Sequence, residues 1–312
     1  MNRFFLIIIT TALFILLSTF AWAQGCSDAG FCTINSLKPN NADGITSFQN
    51  QFKIGAYYGA ASNSINVYGG YLEYNRFLNN KFSIDAKLTT MAQSGNGIST
   101  FGLSDFYVNS TYTASQYFFV TAGVKIPLAK SNKSKDNLPL PMDYQSSLGT
   151  FDVILGIGID IKKLQVTAAF QQPLTANDNQ FTTAVYPENS KFQNFQSTNQ
   201  FKRKGDVLLR IAYPIRLGSK LRITPSILPI YHLSNDLYTD DKNVEQEIIG
   251  SKGLTLNGNL FLDYRINDRN NIQLNGGMPF IVREARPDCL TLIFISTLKY
   301  SIIFLSTRVI PR

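Results

Sequence analysis

Alternation of apolar and polar residues over unusually long segments is the feature that most restricts the fold of this chain. Every second residue from Phe118 to Leu128 is apolar, and similar patterns run from Val207 to Leu217 and from Leu254 to Tyr264. Successive side chains of a β-strand point to opposite faces, so this period predicts strands with one apolar and one mixed face. Strands of about ten residues exceed the usual five or six and match the length that a tilted strand needs to cross a bilayer.

About twelve such strands are predicted, and their connections alternate between short and long. The predicted strands cover residues 51–60, 64–78, 81–93, 100–115, 116–128, 149–162, 163–174, 205–218, 219–234, 250–266, 270–283 and 289–304. Tight turns are predicted at residues 79–80, 115–116, 162–163, 218–219 and 267–270, whereas long polar connections cover residues 129–148, 175–204 and 235–249. We therefore predict an all-β fold, a transmembrane antiparallel β-barrel with short periplasmic turns, long extracellular loops and both termini in the periplasm.

The composition excludes two other classes of protein. Only 16% of the residues are charged and the mean hydropathy is -0.04. A bundle of transmembrane helices is excluded, because each helix needs about 20 nearly uncharged apolar residues. A disordered chain is excluded as well, because 44% of the residues are hydrophobic and 12% are aromatic.

The one long apolar run lies at the N-terminus. Met1-Asn2-Arg3 is followed by the apolar stretch Phe4 to Phe20 and by Ala21-Trp22-Ala23, a small-x-small cleavage pattern. This order predicts a signal peptide over residues 1–23 and export of the mature chain, with a retained helical anchor as the alternative. The mature chain then divides into an N-terminal periplasmic segment (24–50), the barrel (51–304) and a C-terminal tail (305–312).

The cysteines lie near the predicted mature N-terminus and in the last predicted strand. Export places Cys26 and Cys32 in a compartment where disulfides persist, so we predict that they pair. Unpaired thiols, a metal or redox role, and acylation of Cys26 remain alternatives, and Cys289 is the odd thiol. We predict no metal site and no cofactor, because the chain has a single His and no glycine-rich phosphate loop between a strand and a helix.

Two groups of residues resemble known outer-membrane proteins. Leu298, Tyr300, Ile302 and Phe304 share one face of the last predicted strand, which resembles the terminal aromatic strand that the barrel-assembly machinery of Gram-negative bacteria recognises. Segments 102–108, 122–127 and 148–156 resemble the outer-membrane family associated with phenol-degradation pathways, which is related to barrels that pass aromatic hydrocarbons and fatty acids. The resemblance covers residues 50–304 and implies an outer-membrane location.

The polar face of the predicted strands provides candidate residues for the barrel lumen. If the apolar face contacts the lipid bilayer, the candidate lumenal and ligand-binding residues are Lys125, Arg210, Arg216, Arg222, Asp263, Arg265 and Lys299. Basic residues outnumber acidic ones, which favours anions or carboxylate-bearing molecules. The expected function is a channel or transporter for small amphipathic or aromatic molecules. Alternatively, the interior charges only pair with one another, or the long loops bind a molecule without transport. The net charge of +8 is too small to indicate nucleic acid as a partner.

One short motif suggests an enzyme instead. Residues 231–235, Tyr-His-Leu-Ser-Asn, resemble the active site of outer-membrane phospholipases and lipid A deacylases, in which the His activates the Ser two residues later. In this alternative His232 and Ser234 are catalytic and Glu245 or Glu247 orients the imidazole ring. Alternation places His232 and Ser234 on the lumenal face, away from lipid, so we expect the chain not to be an enzyme.

Overall fold

The computed structural model describes residues 37–38, 49–288 and 292–305. The predicted signal peptide, the three cysteines Cys26, Cys32 and Cys289, and the end of the tail after residue 305 lie outside the described residues. No helix in the described part of the chain has the length and apolar character that a membrane crossing requires.

The regular structure of the described chain consists of seventeen strands and of short 3-10 helices at Met142–Tyr144, Thr183–Val185 and Lys191–Asn194. The strands are β1 (Gln49–Ala61), β2 (Ile65–Phe77), β3 (Phe82–Gly95), β4 (Ile98–Ser115), β5 (Phe118–Pro127), β6 (Ser134–Lys135), β7 (Leu138–Pro139), β8 (Asp152–Ile161), β9 (Leu164–Pro173), β10 (Asp206–Ala212), β11 (Ile215–Leu217), β12 (Leu221–His232), β13 (Leu237–Thr239), β14 (Glu245–Glu247), β15 (Gly253–Arg265), β16 (Asn270–Ile281) and β17 (Leu292–Leu305).

The long strands close into a twelve-stranded antiparallel barrel, so the predicted fold is confirmed. Strand β1 pairs with β17 over its whole length, and β10 pairs with β12 to complete the ring. The single strand predicted over residues 205–218 is divided at Tyr213–Pro214 into β10 and β11, because proline has no N–H to donate to the ladder. The pairs β6–β7 and β13–β14 are small hairpins in the long loops.

Each barrel strand presents alternate residues to the outside and to the lumen. In β8, Leu155, Ile157 and Ile159 point outward and are 41–50% exposed. Ile154, which precedes Leu155, points inward and is fully buried. The outward residues of the other strands form a continuous band of aliphatic and aromatic side chains, which is the surface that a bilayer-spanning barrel presents to lipid.

The connections sort by length between the two ends of the barrel, as predicted. At one end short turns join the strands, and Lys162 in one of them adopts the left-handed conformation with a φ of 57°. At the other end are the loops 128–151, 174–205 and 233–252, together with brief connections such as 62–64. This end is called the long-loop end below.

Two of the long loops pack together over the barrel. Their aromatic residues form a cluster with β-strand residues below, and the cluster contains Tyr144, Phe181, Tyr186, Phe192 and Phe195 with Ile65, Val67 and Ile98. The ring centroids of Tyr144 and Phe195 are 6.1 Å apart. Buried aromatic pairs of this kind contribute about 0.5–1.5 kcal/mol each beyond the area that they bury, so the two loops form a fixed cover.

Candidate lumenal binding site

A cavity of about 170 Å³ lies inside the barrel, beneath the packed loops. Its apolar lining combines four aromatic and five aliphatic or thioether side chains, namely Tyr57, Tyr71, Tyr107 and Phe261 with Val67, Met91, Met142, Leu148 and Ile295. Its charged lining consists of Lys38, Lys87, Asp105, Arg210 and Asp288. The cavity is therefore amphipathic, with aromatic walls and several fixed charges.

The roof of the cavity is the segment 142–148 of the first long loop. Gln145 holds this segment to the barrel, because its backbone carbonyl accepts a hydrogen bond from Nε2 of Gln93 at 2.7 Å. Ser147 Oγ also donates to Oδ1 of Asp105 at 2.6 Å, and Ser104 Oγ donates to the other carboxylate oxygen at 2.9 Å. The negative charge of Asp105 is thus used in fastening the roof.

A cluster of lysines from different parts of the chain surrounds a single glutamate. Lys53 of β1 forms an ion pair of 2.5 Å with Glu73 of β2. Lys38, Lys87 and Lys299 also interact electrostatically with Glu73, so four ammonium groups share this carboxylate. We call these five residues the lysine cluster.

Aromatic contacts and neighbouring carboxylates reduce the repulsion within the lysine cluster. The ammonium group of Lys87 lies 3.9 Å from the ring centroid of Tyr71, and that of Lys38 lies 5.7 Å from the same centroid. Asp263 acts electrostatically on Lys299 but accepts a hydrogen bond of 2.6 Å from Gln273. Basic side chains therefore outnumber acidic ones in this half of the lumen.

Arg210 adds a further cation at the cavity. Its side chain points inward from β10 and is 3% exposed. Nη1 donates to the backbone carbonyl of Leu37 at 2.5 Å, which fixes Leu37 and Lys38 inside the barrel. Nε has no hydrogen-bond partner among the described residues, so this guanidinium retains a donor.

The other predicted lumenal residues divide into neutralised and peripheral groups. Lys125 is fully buried but is paired with Asp152 at 3.0 Å and bonded to Thr150, so its charge is satisfied within the wall. Arg222 is half-buried and acts electrostatically with Asp263.

Arg216 and Arg265, which were predicted to be lumenal, are both exposed at the short-turn end of the barrel and do not line the cavity. Arg265 is the last residue of its strand, and its Nη2 donates to the carbonyl of Ser219 in the neighbouring turn at 2.6 Å. The side chain is therefore directed along the turn and away from the enclosed cavity. Position in the alternating pattern alone does not reveal how close a residue is to the barrel end.

A second buried network, built on charged residues, joins three connections at the long-loop end. Arg203 Nε donates to Asp288 at 3.0 Å and its guanidinium also pairs with Asp206, while Arg283 Nη2 donates to Asp288 at 3.1 Å. Burial alone would raise the pKa of Asp288, but the guanidinium groups around it hold its pKa well below the ordinary value. Asp288 is therefore the ionised anchor between the loops 174–205 and 282–288.

His232 belongs to this network and is not arranged to activate a serine. Its Nδ1 lies 2.6 Å from Asp206 Oδ1 and its Nε2 lies 2.8 Å from Asp236 Oδ1. A ring that donates from both nitrogens has no lone pair to accept a serine proton. Burial raises the pKa of Asp236, and the histidine opposes that effect.

The residues proposed to complete a catalytic site lie elsewhere. Ser234 follows the end of β12 and is exposed, so its predicted place on the lumenal face is wrong. Glu245 pairs with Lys202, and Glu247 accepts from Nδ2 of Asn235 at 3.0 Å. In the described part of the chain, no group of three or more His, Cys, Asp or Glu side chains could hold a metal ion.

Comparison with known proteins shows distant structural similarity only. No protein-family model matches the chain, and no curated protein matches it. The translocator domain of the autotransporter NalP from Neisseria meningitidis has a TM-score of 0.46 and 8% identity, covering 85% of this chain and 90% of that one. The NanC porin has a TM-score of 0.45 and 9% identity, covering 82% and 99%. The beta domain of the Bordetella autotransporter BrkA has a TM-score of 0.43 and 10% identity, covering 83% and 100%. Similarity of this extent carries no argument about function.

Proposed function

We propose that this chain is an outer-membrane barrel whose lumen binds and passes small amphipathic molecules that carry an anionic group. The observation that carries the proposal is the amphipathic cavity, in which aromatic side chains lie beside Lys38, Lys87 and Arg210. An anion in a low-dielectric site needs a charged or hydrogen-bonding partner, and these cations provide it. The apolar part of the molecule would contact Tyr107 and Phe261.

The charge distribution supports an anionic ligand over a cationic one. The two acidic residues of the cavity lining already have partners. Asp105 accepts a hydrogen bond from Ser147 of the roof, and Asp288 pairs with the guanidinium groups of Arg203 and Arg283. Arg210 keeps an unpartnered Nε, and the lysine cluster has one carboxylate for four ammonium groups. A carboxylate entering the cavity would therefore be attracted, whereas an amine would be repelled.

The size of the cavity supports a small ligand. Its volume of about 170 Å³ is below the roughly 300–1,000 Å³ of sites that hold drug-sized molecules. A single aromatic ring or a short alkyl chain with one carboxylate is of suitable size. Passage through the lumen would require the roof segment and Lys38 to move, because both line the cavity.

The location proposed for the barrel is supported by the surface of the strands and by the sequence. The outward band of apolar residues matches a lipid-facing surface, and the predicted signal peptide would export the chain. Strand β17 carries the aromatic Phe304 near its end, 49% exposed, which supports recognition by the barrel-assembly machinery.

Calorimetric titration of the folded protein in detergent with benzoate and with benzyl alcohol tests the proposal. We expect benzoate to bind more tightly, because only benzoate offers a carboxylate to Arg210. Arg210→Met should weaken benzoate binding by about 10- to 100-fold, since a charged hydrogen bond contributes about 1.5–3 kcal/mol.

Arg216→Met is the matched control, because Arg216 is exposed at the short-turn end and should leave the affinity unchanged. Faster gel migration of unheated samples confirms that each variant is folded. The proposal fails if benzyl alcohol binds as tightly as benzoate, or if Arg210→Met binds benzoate as well as the wild type does.

A further inference from the structure

One wall of the lumen carries buried polar side chains whose hydrogen-bonding capacity is unmet. Five neighbouring uncharged residues on the inner faces of β12, β15 and β16 carry atoms to which no described residue bonds, namely Ser226, Thr255, Asn257, Asn259 and Asn275. We call these five residues the amide strip. Thr255 is 1% exposed, Asn257 is 3% exposed and Ser226 is 6% exposed.

The opposite wall differs, because its polar side chains bond to one another. Thr121 Oγ1 lies 2.8 Å from Asn109 Oδ1 and 3.2 Å from Thr111 Oγ1. Lys125 is likewise satisfied by Thr150 and Asp152. The polar side chains of β4 and β5 are thus satisfied within their own wall, unlike those of the amide strip.

The amide strip is continuous along the lumen. Thr255, Asn257 and Asn259 are alternate residues of β15 and share its inner face, and four residues of strand span about 13 Å. Ser226 is the direct cross-strand partner of Asn259. Asn275 is the partner of Phe261, the next inward residue of β15. Asn259 and Asn275 line the cavity, so the strip extends from the long-loop end into the site already described.

The chemistry of the strip indicates a neutral ligand rich in hydroxyl groups. A buried polar atom without a partner costs free energy, so these atoms are expected to be used in binding. Amide and hydroxyl side chains both donate and accept hydrogen bonds, as sugar hydroxyls do, and they carry no charge. Phe261, between Asn259 and Asp263 on the same face, offers an apolar surface to the C–H groups of a sugar ring.

We propose that the amide strip binds small neutral polyhydroxylated solutes, either monosaccharides or polyols, and guides them along the lumen. This goes beyond the binding of amphipathic anions, because it uses uncharged functional groups that extend from the cavity toward the long-loop end, and another class of ligand. The anion site depends on Arg210 and the lysine cluster, whereas the strip contains no charged residue.

Swelling of proteoliposomes in iso-osmotic xylose tests this proposal. The double variant Thr255→Val with Asn257→Leu keeps the side-chain size but removes the polar groups, and neither residue lines the anion cavity. We expect its xylose influx to fall by about tenfold or more. The variant should fold, because the polar atoms that it removes bond to no described residue. Faster gel migration without heating checks this, and Asn257→Ser, which retains a hydroxyl group, should give an intermediate rate.

Thr111→Val is the control, because it removes a buried polar group from the opposite wall and should leave xylose influx unchanged. Benzoate affinity of the double variant should also stay at the wild-type value, which separates this proposal from the anion site. The proposal is overturned if the double variant takes up xylose as fast as the wild type. It is also overturned if wild-type proteoliposomes swell no faster than protein-free liposomes. That result is expected if the strip binds only water.

Discussion

Replacing Ile157 by arginine should destabilise the barrel strongly, whereas the same replacement at Ile161 should have little effect. Both residues belong to β8 and point outward, with exposures of 50% and 52%. They therefore lie on the same strand and the same face, and they are almost equally exposed. Only their depth in the proposed bilayer differs.

The magnitude follows from strand geometry. Four residues at about 3.4 Å each separate the two positions by about 14 Å along the strand. With a strand tilt of about 40°, the separation along the membrane normal is about 10 Å, in an apolar band about 25 Å tall. Ile157 then lies near the centre, where arginine costs about 2–4 kcal/mol, and Ile161 lies next to Lys162 near the interface, where the cost is about 0–1 kcal/mol.

Equilibrium unfolding in guanidinium, with the protein folded into lipid vesicles, measures the two costs. Intensity of the heat-modifiable gel band gives the folded fraction at each denaturant concentration. Equal free-energy changes for the two variants would mean that depth in a bilayer does not determine the cost of arginine. Exposure in the protein is nearly the same at the two positions, so it predicts no difference between them. A larger cost at Ile161 would mean that the apolar band is centred elsewhere.

Three further predictions concern the interior. Gly55→Val should cost about 1–3 kcal/mol in the same unfolding assay, because its Cβ would lie 2.3 Å from the ring of Tyr71. Gly276→Val is the control and should be neutral, since a Cβ there meets nothing within 4 Å. Asp288→Asn should weaken the long-loop end by about 3–5 kcal/mol, because it leaves Arg203 and Arg283 without their shared carboxylate. Limited proteolysis should then cut the loops while the strands stay intact, and unchanged loop protection would contradict this. The pKa of Asp288 is lowered in the folded protein, so its stabilisation is present above the unfolded value of about 4 and is lost as the pH falls through the folded pKa. Protection of the loops against proteolysis should therefore stay constant between about pH 6 and pH 5 and decline below about pH 4, and a decline that begins above about pH 5 would contradict this explanation.

The barrel was predictable because alternation is a local property of the sequence. The pattern from Phe118 to Leu128 specifies both the strand and its outward face without any information about neighbouring strands. Strand ends were harder to predict. Strand β12 ends at His232, so Ser234 has left the regular pattern and is exposed, although its position two residues later suggested the same face.

The candidate site depends on contacts between distant residues, which periodicity does not reveal. Lys53 and Glu73 each occupy an inward-facing position in the alternation. Their ion pair, however, follows from the register of β1 against β2, in which they are direct partners. Leu37 and Lys38 lie outside every periodic segment, so nothing in the pattern predicted their place inside the barrel. Arg210 was predicted to face the lumen, whereas its bond to Leu37 was not.

A structure of the protein crystallised with 4-bromobenzoate, with the bromine located by its anomalous signal, tests whether the lumenal cavity is the binding site. We expect one bromine inside the barrel among the aromatic residues beneath the roof segment. The carboxylate should lie within hydrogen-bond distance of Arg210 or Lys87. Bromine found only on the outer surface or among the exposed loops, with the lumenal cavity unchanged, would contradict the proposed binding site.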